Sequence, residues 1–207
     1  MVKIYTSAEM RLREQIAVDA GSSFEQLMEN AGQAAAKDLL LRFPNAGRAL
    51  MVCGKGNNGG DALVIARVLA QKDWQVDVYF VLGNRLSELS ELNRGRLKNL
   101  DSVRLIESDQ LPLEIKYDVV VDGIFGTGFT GALPEQVAGV CRQLNGITGA
   151  KIALDIPTGL NGDTAEYDQE TFQADITYAF AALKPAHLTA EGKRFSGEVI
   201  CLDIGID

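Results

Sequence analysis

Short apolar runs, each bounded by polar turn residues and mostly followed by a helix-periodic segment, constrain this chain more than any other feature. "RALMVC" at 48–53 is the first. "WQVDVYFVLG", "VRLIE", "YDVVVDGIF", "KIALDI", "DITYAF" and "GEVICLDIG" read as further strands. Helical patterns fall at "DALVIARVLAQK", "LSELNRGRLKNL" and "PEQVAGVCRQL". Strands that are apolar throughout are expected where both faces of a sheet are covered. Their alternation with helices predicts parallel neighbours joined by right-handed crossovers. The fold class predicted is therefore α/β, a doubly wound sheet.

Two helices precede the first strand. "TSAE" at 6–9 fits a capping box, with Gly21 as the stop. "SSFEQLMENAGQAAAKDLLLRF" carries apolar residues at 24, 27, 28, 31, 35 and 39, a helical spacing. Ser22 and Glu25 are its predicted capping box. No linker, repeat or low-complexity stretch divides residues 1–207, so one domain is expected. A chain of 207 residues with 46% apolar content suits that expectation.

The net charge of −8 argues against a broad nucleic-acid-binding surface but leaves room for a local phosphate site. No run reaches membrane-spanning length, and "MVKIYTSAEMRLREQ" lacks the apolar stretch of a signal peptide. No membrane partner and a cytoplasmic location are expected. Cys53 and Cys201 sit in apolar runs and read as buried free thiols of a reducing compartment. The single histidine, His187, argues against a histidine-built zinc site.

In doubly wound sheets, ligands bind outside the carboxyl ends of the strands. Three loops stand out there. In "CGKGNNGGD", Gly54, Gly56 and Gly59 match G-x-G-x-x-G between a strand and a helix, a spacing that lets backbone approach a pyrophosphate. The usual dinucleotide site also has an acid at the end of the second strand to hold a ribose. Here that end is "VYFVLGN", and Asp77 lies too early. An ordinary NAD dehydrogenase is disfavoured. In "DGIFGTGFTGALPEQ", Gly126, Gly128 and Gly131 repeat the spacing after Asp122, with Thr127 and Thr130 in the loop. In "ALDIPTGLNGD", Asp155 ends a strand, Pro157 fixes the chain direction and Thr158 supplies a hydroxyl. Glycines needed only for turns, and a strand-end carboxylate acting only as a cap, are the plain alternatives. Gathered at one crevice, Asn58, Asp122 and Thr158 offer hard oxygen ligands suited to an alkali or alkaline-earth ion.

Together these segments resemble the YjeF N-terminal domain family, whose enzymes are NAD(P)HX epimerases. The resemblance runs through "MRLRE", "LMENAG", "GKGNNGGD", "VDGIFGTGFTG", "DIPTGLNGDT", "FAALKP" and "GEVICLDIGI". It implies a Rossmann-like three-layer α/β/α sandwich with a mostly parallel central sheet and N-terminal helices. It implies that the protein interconverts the R and S epimers of hydrated NADH or NADPH, with one potassium ion per subunit. By motif, Asn57, Asn58, Gly59, Gly60 and Asp61 would contact the substrate, as would Gly126, Thr127, Gly128, Phe129, Thr130, Gly131 and Ala132. Asn58, Asp122 and Thr158 would bind potassium, and Asp155 would touch the substrate near the chemistry. A homodimer, and an NAD(P)HX dehydratase as a C-terminal domain or separate partner, are also implied.

The departures are modest. Ala62 stands where the family commonly has glycine, Thr158 where it has serine, and His187 where a small or apolar residue is usual. Asp155 is the predicted catalytic residue: a single carboxyl can protonate a leaving hydroxyl and then deprotonate water, if its pKa lies near neutrality. Burial would raise that pKa and a nearby cation would oppose the rise. Lys184 reads either as a contact to a phosphate or the reacting ring, or as a solvated strand-end lysine. His187 reads as a surface or packing residue. A non-catalytic nucleotide- or protein-binding module of the same fold is the alternative.

Overall fold

A computed structural model describes residues 3–106 and 110–206. Helices α1 (Ser7–Asp19) and α2 (Phe24–Arg42) come first, then β1 (Arg48–Cys53), α3 (Asn57–Ala70), β2 (Gln75–Phe80), α4 (Glu88–Arg96), β3 (Val103–Ile106), β4 (Val119–Gly123), α5 (Glu135–Asn145), β5 (Ala150–Leu154), β6 (Ile176–Phe180), α6 (Ala190–Ser196) and β7 (Glu198–Leu202). All seven predicted strands form. Glu107, the last residue of the predicted "VRLIE" run, lies outside the described residues.

The strands form one sheet in the order β3-β2-β1-β4-β5-β6-β7, with every neighbouring pair parallel. The chain runs outward from β1 to β3, then returns to the other side of β1 to lay down β4. That reversal opens a crevice beyond the carboxyl ends of β1 and β4. Central strands β4 and β6 are buried along their whole length, while the edge strands β3 and β7 are largely open. Side chains on one face of the sheet (Met51, Val78, Val121, Leu154) pack under α2 and α3. Those on the other (Leu50, Val52, Val120, Ala153) pack under α5.

The α1 capping box forms as predicted: Thr6 Oγ1 accepts from Glu9 N–H at 3.2 Å, and Thr6 N–H donates to Glu9 at 2.8 Å. The predicted α2 cap is displaced by one residue. Ser23, not Ser22, accepts from Gln26 N–H, and Glu25 instead turns outward to pair with Arg96. Cys53 and Cys141 are buried, but Cys201 is exposed, because β7 is an edge strand. Asp77, mid-strand in β2, is engaged by Arg104, Arg48 and Tyr117, so it serves the fold rather than a ribose. A short 3-10 turn at Pro185–Leu188 and α6 follow β6 and have no counterpart in the predicted elements. No helix among the described residues is long and apolar enough to cross a membrane.

Leu50 sits at the centre of β1 with no exposed surface. Leu50→Ala leaves a cavity between sheet and α5 and is expected to destabilise the fold by about 2–5 kcal/mol. The shift in urea midpoint, followed through the single buried tryptophan, Trp74, measures it.

Candidate functional site

The first loop leaves β1 at Cys53 and enters α3 at Asn57. It hugs β4: Gly54 N–H donates to Gly123 O at 3.0 Å. A Cβ at Gly54 would lie 2.0 Å from the Ile124 carbonyl oxygen, and one at Gly59 would lie 2.3 Å from Gly54 O. Only glycine allows this close approach. No side chain caps α3. Its first N–H groups are therefore available to an anionic ligand. Asn58 stands in this first turn, and its buried amide nitrogen has no hydrogen-bond partner.

The second and third loops are latched together. Asp122, in β4, accepts from Ile124 N–H at 3.1 Å, from Thr158 N–H at 2.8 Å and from the Thr158 hydroxyl at 2.7 Å. Thr158 Oγ1 in turn accepts from Phe125 N–H at 3.0 Å. Asp122 and Thr158 have no exposed surface. Burial pushes the Asp122 carboxyl up to about 6, against the opposing pull of its hydrogen bonds from Thr158 and Ile124.

A crevice of about 840 Å³ opens above these loops. Asn57, Asn58 and Asp61 line it from the first loop, Gly126, Thr127, Gly128, Phe129, Thr130 and Ala132 from the second, and Asp155 from the third. Gly59, Gly60 and Gly131 do not line it. Gly59 and Gly60 lie beneath, where a Cβ on Gly60 would meet the Met28 sulfur at 2.5 Å. Asp122 and Thr158 sit behind the wall.

The predicted site residues leave out the roof, although the "LMENAG" helix reads either as a dimer-interface element or as a cover for the crevice. Met10, Arg11 and Glu14 of α1 and Leu27, Met28 and Ala31 of α2 line the same space. The "MRLRE" and "LMENAG" segments were its signal. Their place over the crevice depends on distant contacts: Ser7 Oγ donates to Thr127 O at 2.8 Å, and Ser7 N–H to Asp163 at 2.8 Å. Asn30 stays outside the crevice and donates to Ile204 O at 2.9 Å.

Asp155 has φ +65°, a left-handed conformation that costs a non-glycine residue energy but suits Asp and Asn best. Its N–H donates to Tyr178 O at 2.7 Å. Its Oδ1 pairs with Lys184 Nζ, and Lys184 is fully buried. Lys184 is thus neither solvated nor among the crevice-lining residues. His187 is buried as well, and desolvation pushes its imidazole down to about 4.

Two further carboxyls share the crevice. Asp61 keeps some contact with solvent, yet loss of water pushes its carboxyl well above the usual range, with the negative charges of Asp155 and Glu14 adding to the rise. Glu14 is raised for the same reasons: desolvation first, then Asp155.

The Asn58 amide oxygen, the Asp122 carboxylate and the Thr158 hydroxyl are all hard oxygen donors, with one negative charge among them. Among the described residues no group of three or more His, Cys, Asp or Glu is placed to hold a metal. A hard monovalent cation fits this set; a thiolate- or imidazole-seeking metal does not.

Residues 24–186 match the family described as YjeF-related protein N-terminus. The chain belongs to that family. Among similar proteins, an NAD(P)H-hydrate epimerase of Rhodopirellula baltica is 37% identical over 186 residues, covering 87% of this chain and 75% of its own. An NAD(P)H-hydrate epimerase of Elusimicrobium minutum is 34% identical over 215 residues, covering 99% and 96%. A bifunctional NAD(P)H-hydrate repair enzyme of Pyrobaculum aerophilum is 37% identical over 209 residues, and the chain spans 41% of its length. The crystal structure of a yeast protein superposes with a TM-score of 0.81 over 92% of this chain and 86% of its own, at 23% identity. It shows the same fold.

Within this YjeF-related site, a Cβ on Gly126 would lie 3.4 Å from Asn58 Oδ1 and 3.5 Å from Asp155 Oδ2, ordinary contact distances. Gly126→Ala is expected to fold normally, with an unchanged melting temperature, and to bind a hydrated nicotinamide dinucleotide at least ~10-fold more weakly by calorimetry. Asp61→Asn should do the reverse for stability. A carboxyl raised in the fold weakens that fold as pH climbs from its unfolded value of 3.8 through its folded one. The variant should therefore melt a few degrees above the parent at pH 8, with the difference vanishing below about pH 4.

Proposed function

We propose that the protein is an NAD(P)H-hydrate epimerase, acting on NADHX and NADPHX. The observation that carries this reading is the convergence of Asn58, Gly126 and Asp155 from three loops on one crevice wall, with Asn58 Oδ1 and Asp155 Oδ2 lying 3.4 and 3.5 Å from where a Gly126 Cβ would sit. Relatives that share most of the chain and bear the epimerase name support it.

The substrate carries a hydroxyl on C6 of the nicotinamide ring, beside N1. That carbon is a hemiaminal. The hydroxyl leaves as water once it gains a proton, while the N1 lone pair forms an iminium-like cation. Water added from the opposite face inverts the centre and gives up one proton. Asp61 is suited to supply the first proton and Asp155 to take the second, two carboxyls in contrasting surroundings. Conversion of the opposite epimer runs the same transfers backward, and exchange with crevice water restores both groups. The α3 N-terminus and the glycine loops receive the dinucleotide phosphates.

Potassium would be held by Asn58, Asp122 and Thr158, one ion per subunit. Its positive charge would fix the two loops that carry Asn58 and Gly126 and attract the substrate's phosphates. A homodimer, and an NAD(P)HX dehydratase that consumes one epimer, are the partners this reading implies.

The test is direct. The pure R epimer of NADHX is mixed with the protein, and the epimer ratio is followed by chromatography. Equilibration well above the spontaneous rate is expected; a ratio that tracks the protein-free control would leave only a binding module. Asp155→Asn should lower kcat by about 10²–10⁴-fold with KM little changed. Asn tolerates the left-handed backbone, so that variant should fold.

A further inference from the structure

Lys184 raises a question the epimerase reading leaves open. It is fully buried and lies behind Asp155, away from the crevice surface. Its ammonium has three N–H donors and three acceptors: Asp155 Oδ1, Phe180 O at 3.0 Å and Ala182 O at 3.1 Å. The chain is bent to build this cup. Ala181 has φ +60°, and Ala182 N–H closes a tight turn onto Phe180 O at 2.7 Å. Lys184's own N–H donates to His187 Nδ1 at 3.1 Å, which leaves the imidazole proton on Nε2. This buried cup engages all three ammonium protons and fixes the ammonium against Asp155.

Its effect is on one oxygen of Asp155. Oδ1 is held by Lys184 and approached by Phe180 N–H at 3.4 Å. Oδ2 points the other way, toward the position a Gly126 Cβ would fill, 3.5 Å off and beside Asn58. The two oxygens of this carboxylate are therefore not equivalent.

We propose that Lys184 is a positioning residue for the epimerisation: it grips Oδ1 of Asp155 from behind and presents Oδ2 as the single oxygen that exchanges a proton with the reacting water. The inference rests on the epimerase reading. Oδ2 takes the proton as the C6–O bond forms, and the ammonium keeps its three protons throughout. Without Lys184 the carboxylate loses its anchor and its counter-charge, and the strained backbone at Asp155 loses a restraint. Substrate binding, which draws on other groups, is left largely intact.

The experiment compares Lys184→Met, similar in length but uncharged, with Lys184→Ala, which opens space for a small amine. In folded Lys184→Met, kcat is expected to fall about 100-fold, with KM within about 3-fold of the parent. In Lys184→Ala, ethylammonium should restore at least ~10-fold of the lost kcat, while tetramethylammonium, which has no N–H, restores nothing. Asp155→Asn should gain nothing from either. A kcat within about 3-fold of the parent in Lys184→Met, a loss confined to KM, or no rescue of folded Lys184→Ala by ethylammonium overturns the proposal.

If neither variant folds, the ammonium ¹⁵N resonance of Lys184 decides, measured in the unsubstituted protein and in Asp155→Asn. A solvent-protected signal that moves when Asp155 is neutralised sustains the pair, and one that does not move removes it. This resonance needs no turnover, so failure of the epimerase reading and failure of the lysine's role are told apart.

Discussion

The hydrogen bonds between Asp122 and Thr158 join two loops that are more than thirty residues apart in the chain. Everything in the crevice depends on that join. Through Thr158 the "DIPTG" loop is fixed to the end of β4, and through Phe125 N–H the second glycine loop is fixed to both. The join is dry, and a carboxylate deprived of water needs those N–H and O–H donors. Cutting them would leave a buried charge half satisfied and free two walls of the site at once.

Electrostatics divides the crevice carboxyls into two kinds. Asp155 is backed by an ammonium, whereas Asp61 faces the charges of Asp155 and Glu14, and Glu14 that of Asp155, with little water to screen them. Such unequal surroundings allow groups of one chemical type to play opposite parts in proton transfer. The left-handed backbone at Asp155 belongs to the same design. It is a local cost, carried at the end of β5 and held by contacts from Tyr178, Phe180 and Lys184.

The sheet was legible because its strands are apolar on both faces, a pattern that only covered parallel strands produce. The first- and second-loop residues were legible as polar groups and glycines interrupting such strands. What stayed hidden depends on neighbours distant in the chain. Lys184 looks like any strand-end lysine until Asp155, twenty-nine residues earlier, is set against it. Cys201 sits in a run as apolar as the others, and only the order of strands puts it on an edge. Ser22 and Ser23 are chemically identical caps, and which one starts α2 is decided by packing. The segment from Pro185 to Ser196 has too few turns to show a period. It is placed instead by contacts such as Ala186 N–H to Gly162 O.

The way α1 is fastened has a consequence for synthesis. Its anchors, Thr127 O and the Asp163 carboxylate, lie 120 and 156 residues downstream, and the bridge from Ile4 reaches Leu183. The ribosome therefore delivers the cover long before the vessel. Until the last third of the chain emerges, α1 lacks its fastening to Asp163, whereas α2 already has α3 to settle on.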